Sequence, residues 1–359
     1  MRFLGMNLRL PWAAKVSQTA EALFRRVVGN EAWGIFPERN FAQYAVEGFK
    51  KNAVAYRAIT LVSRGCGFVP LQVFQGKRLL PDTHPLNRLL KRPNPTQGGD
   101  KFMEAFVAYQ LLAGNSYMEG IGPDGGPPTE LWVHRPDYMR VTANALGVNG
   151  YYFDCGVGAP KKWTADPVDG TSPILHVKTF NPLDNWYGMS PIEAASYAID
   201  QHNMAGKWNQ SLLQNSARPS GALVYKNQTG GTLSEEQYNR LKEEINKAFS
   251  GPKNAGRPMI LEGDLDWKAM GFSPADMDWI AGKNTSTRDI TMVFGVPPML
   301  AGIEGDTTFS NYAEARQALY EDTVLPTLQS ILNDMNNWLA PKYGEDIQIK
   351  MNVQDLPAL

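Results

Sequence analysis

The chain has 359 residues, 43% of them hydrophobic, and its 35 basic and 36 acidic side chains leave a net charge of −1. That length and apolar share suit one large domain or two to three packed modules, and exclude disorder along most of the chain. The charge balance excludes a protein that grips duplex DNA tightly, because such affinity comes largely from cations that neutralise phosphates and release counterions.

Cys66 and Cys155 are the only cysteines, too few for a disulfide framework or a thiolate metal cluster, and a reducing compartment is the simpler reading. Residues 1–28 mix Arg2, Arg9, Lys15, Arg25 and Arg26 with Leu and Trp and lack the apolar core of a signal peptide. They read either as an amphipathic arm lying on a partner protein or as a frayed helix. No stretch approaches the roughly 18 apolar residues that span a bilayer, so no membrane partner is expected.

Residues 53–69 have helical spacing, with Val54, Ile59 and Val62 on one side. A hairpin follows over Phe68 to Leu80, turned at Gln75-Gly76. His84 then starts a short helix closed by Pro93 and Pro95. In DKFMEAFVAYQLLAGNSY the positions Phe102, Phe106, Tyr109 and Leu112 predict a helix, with Gly114 as its C-cap. From Ser116 to Phe180 short alternating runs separated by Gly, Pro and Asp predict a β-rich region.

The second half opens two helices with one start signal. Ser190-Pro191-Ile192-Glu193 and Ser273-Pro274-Ala275-Asp276 each put Ser at the cap, Pro at the first helical position and an acid three residues after the Ser. The Ser oxygen and the acid satisfy free backbone N–H groups, and Pro has no N–H to lose. The first helix should run from about Pro191 to Ala217, with the stripe Ala195, Ile199, Ala205, Trp208 and Leu212 and a length of about 40 Å. The second should run to about Phe294, roughly 30 Å. A compact α/β module, Arg218 to Phe272, lies between them, with an amphipathic helix over Ser234 to Phe249.

GKNTSTRD, Gly282 to Asp289, reads as polar all round, where a surface helix of one globule should show a continuous apolar stripe. Such a belt suits a helix packed between identical neighbours around a solvent-filled passage, or a solvated helix with one weak turn. A Gly-rich loop, AGIEGDTTFS, precedes a long helix from about Asn311 to Leu339. Pro326 removes a backbone hydrogen bond from its middle and should kink it. A strand, DIQIKMNV, follows.

Chemistry is sparse. Gly120-x-Gly122-x-x-Gly125 spells a dinucleotide fingerprint, but Pro127-Pro128 and a strand follow where a helix is required, so it is a turn. Neither a Walker loop nor a Gly-x-Ser-x-Gly elbow occurs. His84, His134, His176 and His202 form no HxxxH pair, and structural roles are expected for all four. Asp264 and Asp266 flank an expected turn, while Asp276 and Asp278 point apart on a helix. No catalytic residue, cofactor or metal site is assigned. A nuclease would need several carboxylates converging on one cleft, and no such pattern is visible.

Several stretches together match one family. They are HPLNRLLKRPNP with FMEAFVAYQLLAGNSYMEG, YGMSPIEAA, NQSLLQNSARPSGAL, LSEEQYNRLKEEINKAFSG with NAGRPMILEGDLDWKAM, and GVPPMLAGIEGDTTFSNYAEARQALYEDTVLPTLQSILN. In this order, from His84 onward, the chain resembles the portal proteins of HK97-type tailed phages, including those of phage-like gene transfer agents. The resemblance implies an α+β portal fold and a ring of about twelve subunits at one capsid vertex of a virion or phage-like particle, assembled in the bacterial cytoplasm. Residues 1–188 would form the wing that meets the major capsid protein. Residues 189–217 and 273–296 would form two stem helices, and 218–272 the clip that docks the large terminase and later the head–tail adaptor. Residues 297–359 would hold the tunnel loop, the kinked wing helix and the closing strand, with the family's helical crown short, absent or outside this sequence.

On that reading Asp306, Thr307, Thr308, Phe309 and Ser310 face double-stranded DNA from the loop, Lys283 and Arg288 supply basic positions near the channel, and Glu235, Glu236, Arg240, Lys242 and Lys253 belong to the docking clip. A channel through which DNA slides should bind phosphate weakly, so the balanced charge fits. The alternatives are a nucleic-acid enzyme such as a nuclease, or another head–tail connector ring.

Overall fold

The computed structural model describes residues 41–123, 126–144, 147–166, 170–214, 221–225, 234–236, 239–240, 243, 265–269, 279–303, 309–354 and 356. The N-terminal arm lies outside these residues. After a π-helical turn at Tyr44–Lys50, helix α1 (Ala53–Phe68) starts at Asn52, whose side chain accepts from the backbone N–H groups of Val54 and Ala55. Ile59 and Val62 are fully buried on its inner face, as the periodicity predicts. Strands β1 (Leu71–Gln75) and β2 (Arg78–Leu79) form the hairpin, and the turn itself falls on Gly76 and Lys77, with Gly76 at φ 58°. Helix α2 (Pro85–Lys91) is capped by the His84 ring, and helix α3 (Gly99–Ala113) ends at a left-handed Gly114. Both ends are local chemistry read correctly from the residues.

The β-rich region is two three-stranded antiparallel sheets. One has the order β4 (Glu130–His134), β3 (Asn115–Ile121), β8 (Ile174–Lys178); the other is β5 (Met139–Asn144), β6 (Gly147–Phe153), β7 (Lys161–Thr164). A small apolar cluster of Tyr117, Met139, Tyr151 and Ile174 joins side chains of the two sheets.

The first Ser-Pro helix is two pieces, α4 (Pro191–Ala194) and α5 (Ser196–Gln214), with the break at Ala195, where ψ is 0°. Ala195, Ile199 and Ala205 are buried as expected, and Trp208 is half-buried. Beyond it, β9 (Gly221–Tyr225) pairs antiparallel with β10 (Leu265–Ala269). Asp266, expected to flank a turn, stands in the strand opposite Val224. Helix α6 (Trp279–Val293) packs against α5, and its expected Ser273 cap lies outside the described residues.

Helix α7 (Phe309–Ala318) runs into a π-helical segment, Leu319–Val324, and then into α8 (Leu325–Trp338). Pro326 sits in the first turn of α8, so the wide turn before it absorbs the missing hydrogen bond. The Leu325 N–H donates to the Tyr320 carbonyl five residues back. Leu328, Ile331, Leu332 and Met335 are fully buried in the main core, each contributing roughly 1.5–3 kcal/mol of hydrophobic stabilisation. The closing strand β11 (Ile347–Met351) pairs with β1, Leu71 opposite Met351 and Gln75 opposite Ile347.

Candidate ring and channel elements

The joint that aims the first Ser-Pro helix is built from backbone groups held by the side chains of Asn115 and Ser190. Gly114 ends α3, and its carbonyl accepts from the Thr179 N–H at 2.9 Å. Asn115 clamps Gly188, its Oδ1 accepting the Gly188 N–H at 2.8 Å and its Nδ2 donating to the Gly188 carbonyl at 3.2 Å. Ser190 accepts from the Ile192 N–H at 3.1 Å and donates its own hydroxyl to the Leu112 carbonyl at 2.8 Å. The helix cap is therefore also the bond that ties α4 to the end of α3.

Helix α6 revises the expected polar belt. Ser286, Thr287 and Thr291 are buried, and Ile290 beside them is fully so. Their hydroxyls are satisfied inside the helix: Ser286 donates to the Gly282 carbonyl at 3.0 Å, Thr287 to the Lys283 carbonyl at 2.9 Å and Thr291 to the Arg288 carbonyl at 3.0 Å. Small hydroxylated residues that bond back to their own helix present an outer surface of carbon, so this face packs despite its letters. The belt is polar in composition but not polar all round in exposure.

Lys283 and Arg288 are exposed. Five positions apart, they point about 140° from one another around the helix and do not form one basic stripe. The Lys283 charge reaches α5, where burial first and Lys283 second hold His202 below its ordinary range. His202 lies beside Asn52, 3.3 Å from its Nδ2.

The Gly-rich loop leaves a 3-10 turn, Pro298–Ala301, through a left-handed Gly302 at φ 83°. Asp306, Thr307 and Thr308 lie outside the described residues. Phe309 and Ser310 open α7. In the intervening module Glu235, Glu236 and Arg240 are helical and exposed, while Lys242 and Lys253 lie outside the described residues.

The histidines take structural places. His134 Nε2 lies 2.8 Å from Glu119 Oε2 across paired strands. His176 stacks on Tyr117 at 4.3 Å between ring centroids and donates to Asn115 Oδ1 at 2.9 Å. Burial, with a lesser push from Lys178, lowers it to about 3. Burial pushes the Cys66 thiol up to about 12, far from a reactive thiolate. Among the described residues no three His, Cys, Asp or Glu side chains converge to hold a metal, and no helix is long and apolar enough to cross a membrane. Gly120 lies in β3, and the chain turns through Pro127 and Pro128 into β4, with no helix to receive a pyrophosphate.

Residues 53–359 match the family described as phage portal protein. The chain belongs to that family. A protein of Rickettsia bellii is 39% identical over 315 residues, covering 88% of this chain and 81% of the relative. The portal protein of Enterobacteria phage HK97 is 24% identical over 299 residues, covering 80% and 67%. Among solved structures, this portal protein is similar to a chain in the neck of an empty gene transfer agent (GTA) particle with sixfold symmetry. That similarity has a TM-score of 0.71 and 42% identity over 93% of this chain and 90% of the other. A chain in the neck of a native GTA particle with twelvefold symmetry gives 0.68 and 40% over 94% and 90%. An HK97-family phage portal protein from Corynebacterium diphtheriae, at 16% identity and TM-score 0.62, shares the fold. The mixed helix-and-strand portal fold implied by the sequence is the fold observed.

Proposed function

We propose that this portal protein closes into a ring of about twelve subunits at one vertex of a phage-like or GTA-like particle and forms the passage through which DNA is packaged and ejected. The observation that supports it most is the 42% identity to a chain in a GTA particle neck over 93% of this chain, joined to the family match. On this reading the protein is a structural conduit rather than an enzyme. Residues 1–188 are the wing, 189–217 and 273–296 the stem, 218–272 the clip, and 297–359 the tunnel loop, wing helix and closing strand. The major capsid protein meets the wing, and the large terminase and the head–tail adaptor dock in turn on the clip, where Glu235, Glu236, Arg240, Lys242 and Lys253 are the charged candidates. Asp306 to Ser310, with Lys283 and Arg288, are the candidates that face DNA.

The near-zero net charge suits a passage. Each phosphate neutralised adds affinity and friction to a duplex that has to move, so balanced walls with sparse cations keep contacts transient. Two measurements test the reading. Electron micrographs and light scattering of the purified chain should show a ring with a central hole and a mass about twelve times that of one subunit. A monomer that cleaves DNA with added metal overturns it in favour of the nuclease. Replacing Asp306 to Phe309 with a Gly-Ser linker should lower the amount of packaged DNA while rings still assemble. Normal packaging by that variant removes the loop assignment alone.

A further inference from the structure

Two exposed features of the wing have complementary chemistry. The first is the loop Phe180–Asp184, where Phe180 is 86% and Leu183 95% exposed. The loop is fixed in place. Asn181 Nδ2 donates to the Tyr187 carbonyl at 3.0 Å, and Asn181 Oδ1 accepts the Leu183 N–H at 3.0 Å. Asp184 Oδ1 accepts the N–H groups of Trp186 at 2.7 Å and Tyr187 at 3.1 Å, while the Tyr187 hydroxyl accepts the Val141 N–H at 2.9 Å. A braced loop that holds two large apolar side chains in water, with a carboxylate one residue on, is a preorganised knob, because little freedom remains to be lost on docking.

The second is a groove of about 350 Å³ between α1 and α7. Leu61, Phe68, Leu300 and Leu319 line it together with Arg57, Arg64 and Arg316. Arg64 pairs with Glu104 at 2.9 Å and the Arg57 Nε donates to the Leu300 carbonyl at 3.4 Å, so Arg316 and the remaining donors of Arg57 and Arg64 carry its charge. Arg57, Leu61, Arg64 and Phe68 stand at i, i+4, i+7 and i+11, one face of α1, and Phe68 is 58% exposed. The knob is tied to the Ala113 end of α3 through Gly114 and Asn115, whereas Phe68 sits at the other end, beside the contact of Gly67 with Asp100. Those ends are about 22 Å apart along a 15-residue helix. A rotationally symmetric ring joins two different patches of each subunit head to tail, so a knob and a groove on one chain suit it.

We propose that the Phe180–Leu183 knob of one subunit docks in the arginine-rimmed groove along α1 of its neighbour, with Asp184 toward the arginines. The inference rests on the ring reading above. Its test uses the purified full-length chain. The double variant Phe180→Ser/Leu183→Ser should melt as the wild type does, since both side chains are exposed. It should raise the concentration for half-maximal ring assembly about tenfold or more, as loss of an interface anchor does. In a Cys155→Ser background, Phe68→Cys/Leu183→Cys treated with a short bis-maleimide should give a covalent ladder of subunits in assembled rings, and each single cysteine variant should not. Assembly of the Ser variant at the wild-type concentration overturns the inference and assigns the knob to another particle protein. Assembled rings of the cysteine pair without a ladder overturn it as well. A wild-type chain that forms no ring removes the ring reading instead.

Discussion

Replacing Gly188 with alanine should loosen the joint between α3 and the first Ser-Pro helix. A Cβ there would stand 2.1 Å from the Gly114 carbonyl oxygen and 2.7 and 2.8 Å from the Thr179 N and O. All three are backbone atoms, so no rotamer relieves the clash and the two strands of chain must part. The bonds at risk are Gly188 N–H to Asn115 Oδ1, Asn115 Nδ2 to the Gly188 carbonyl, and Thr179 N–H to the Gly114 carbonyl. At about 1 kcal/mol each, their loss is about 3 kcal/mol, more than a hundredfold in the folding equilibrium. Gly206→Ala is the matched control. That glycine lies in α5 with nothing within 4 Å of an added Cβ, so the same substitution should stabilise by about 0.5–1 kcal/mol. Urea unfolding followed by tryptophan fluorescence reads both variants at a concentration where no ring forms. Equal midpoints for Gly188→Ala and wild type would refute the joint.

Three other outcomes are expected. Tyr117 is fully buried and its hydroxyl finds no hydrogen-bond partner among the described residues, so Tyr117→Phe should raise the thermal midpoint, with about 1–3 kcal/mol of desolvation penalty removed. A lower midpoint would show that the hydroxyl is satisfied in solution. Ser190→Ala removes both the cap of α4 and the bond to the Leu112 carbonyl and should cost about 1–2 kcal/mol in the same unfolding assay. His176 is held by burial at about 3, below its unfolded value, so its contribution is complete above the ordinary histidine range. That contribution is lost as pH falls from about 6.5 toward 3, at up to about 1.4 kcal/mol per pH unit. Unfolding midpoints of wild type and His176→Phe across this range check the sign. The variant should show the shallower acid slope.

Which parts of the molecule were legible depended on the range of the forces involved. His84, Gly114 and Ser190 act on backbone groups within four residues, and α2, α3 and α4 begin or end where those residues stand. In α8, Leu328, Leu332 and Met335 recur at helical spacing and are fully buried, because one face of a helix is a property of its own sequence. The charge balance, too, excluded a tight grip on duplex DNA before any contact was known.

Other features needed the folded chain. The burial of Ser286, Thr287 and Thr291 was hidden, since the letters record a hydroxyl but not the carbonyl of the same helix that quenches it. The break at Ala195 and the π-turn before Pro326 reflect how helices settle on neighbours, and spacing alone carries no such information. The pairing of β1 with β11 joins residues about 275 positions apart, and the stacking of His176 on Tyr117 joins two strands of one sheet. Sequence thus determined the local elements and the absence of a basic excess. Tertiary structure decided which polar faces are buried and which apolar side chains stay in water. Burial belongs to the packed surfaces and not to the residue.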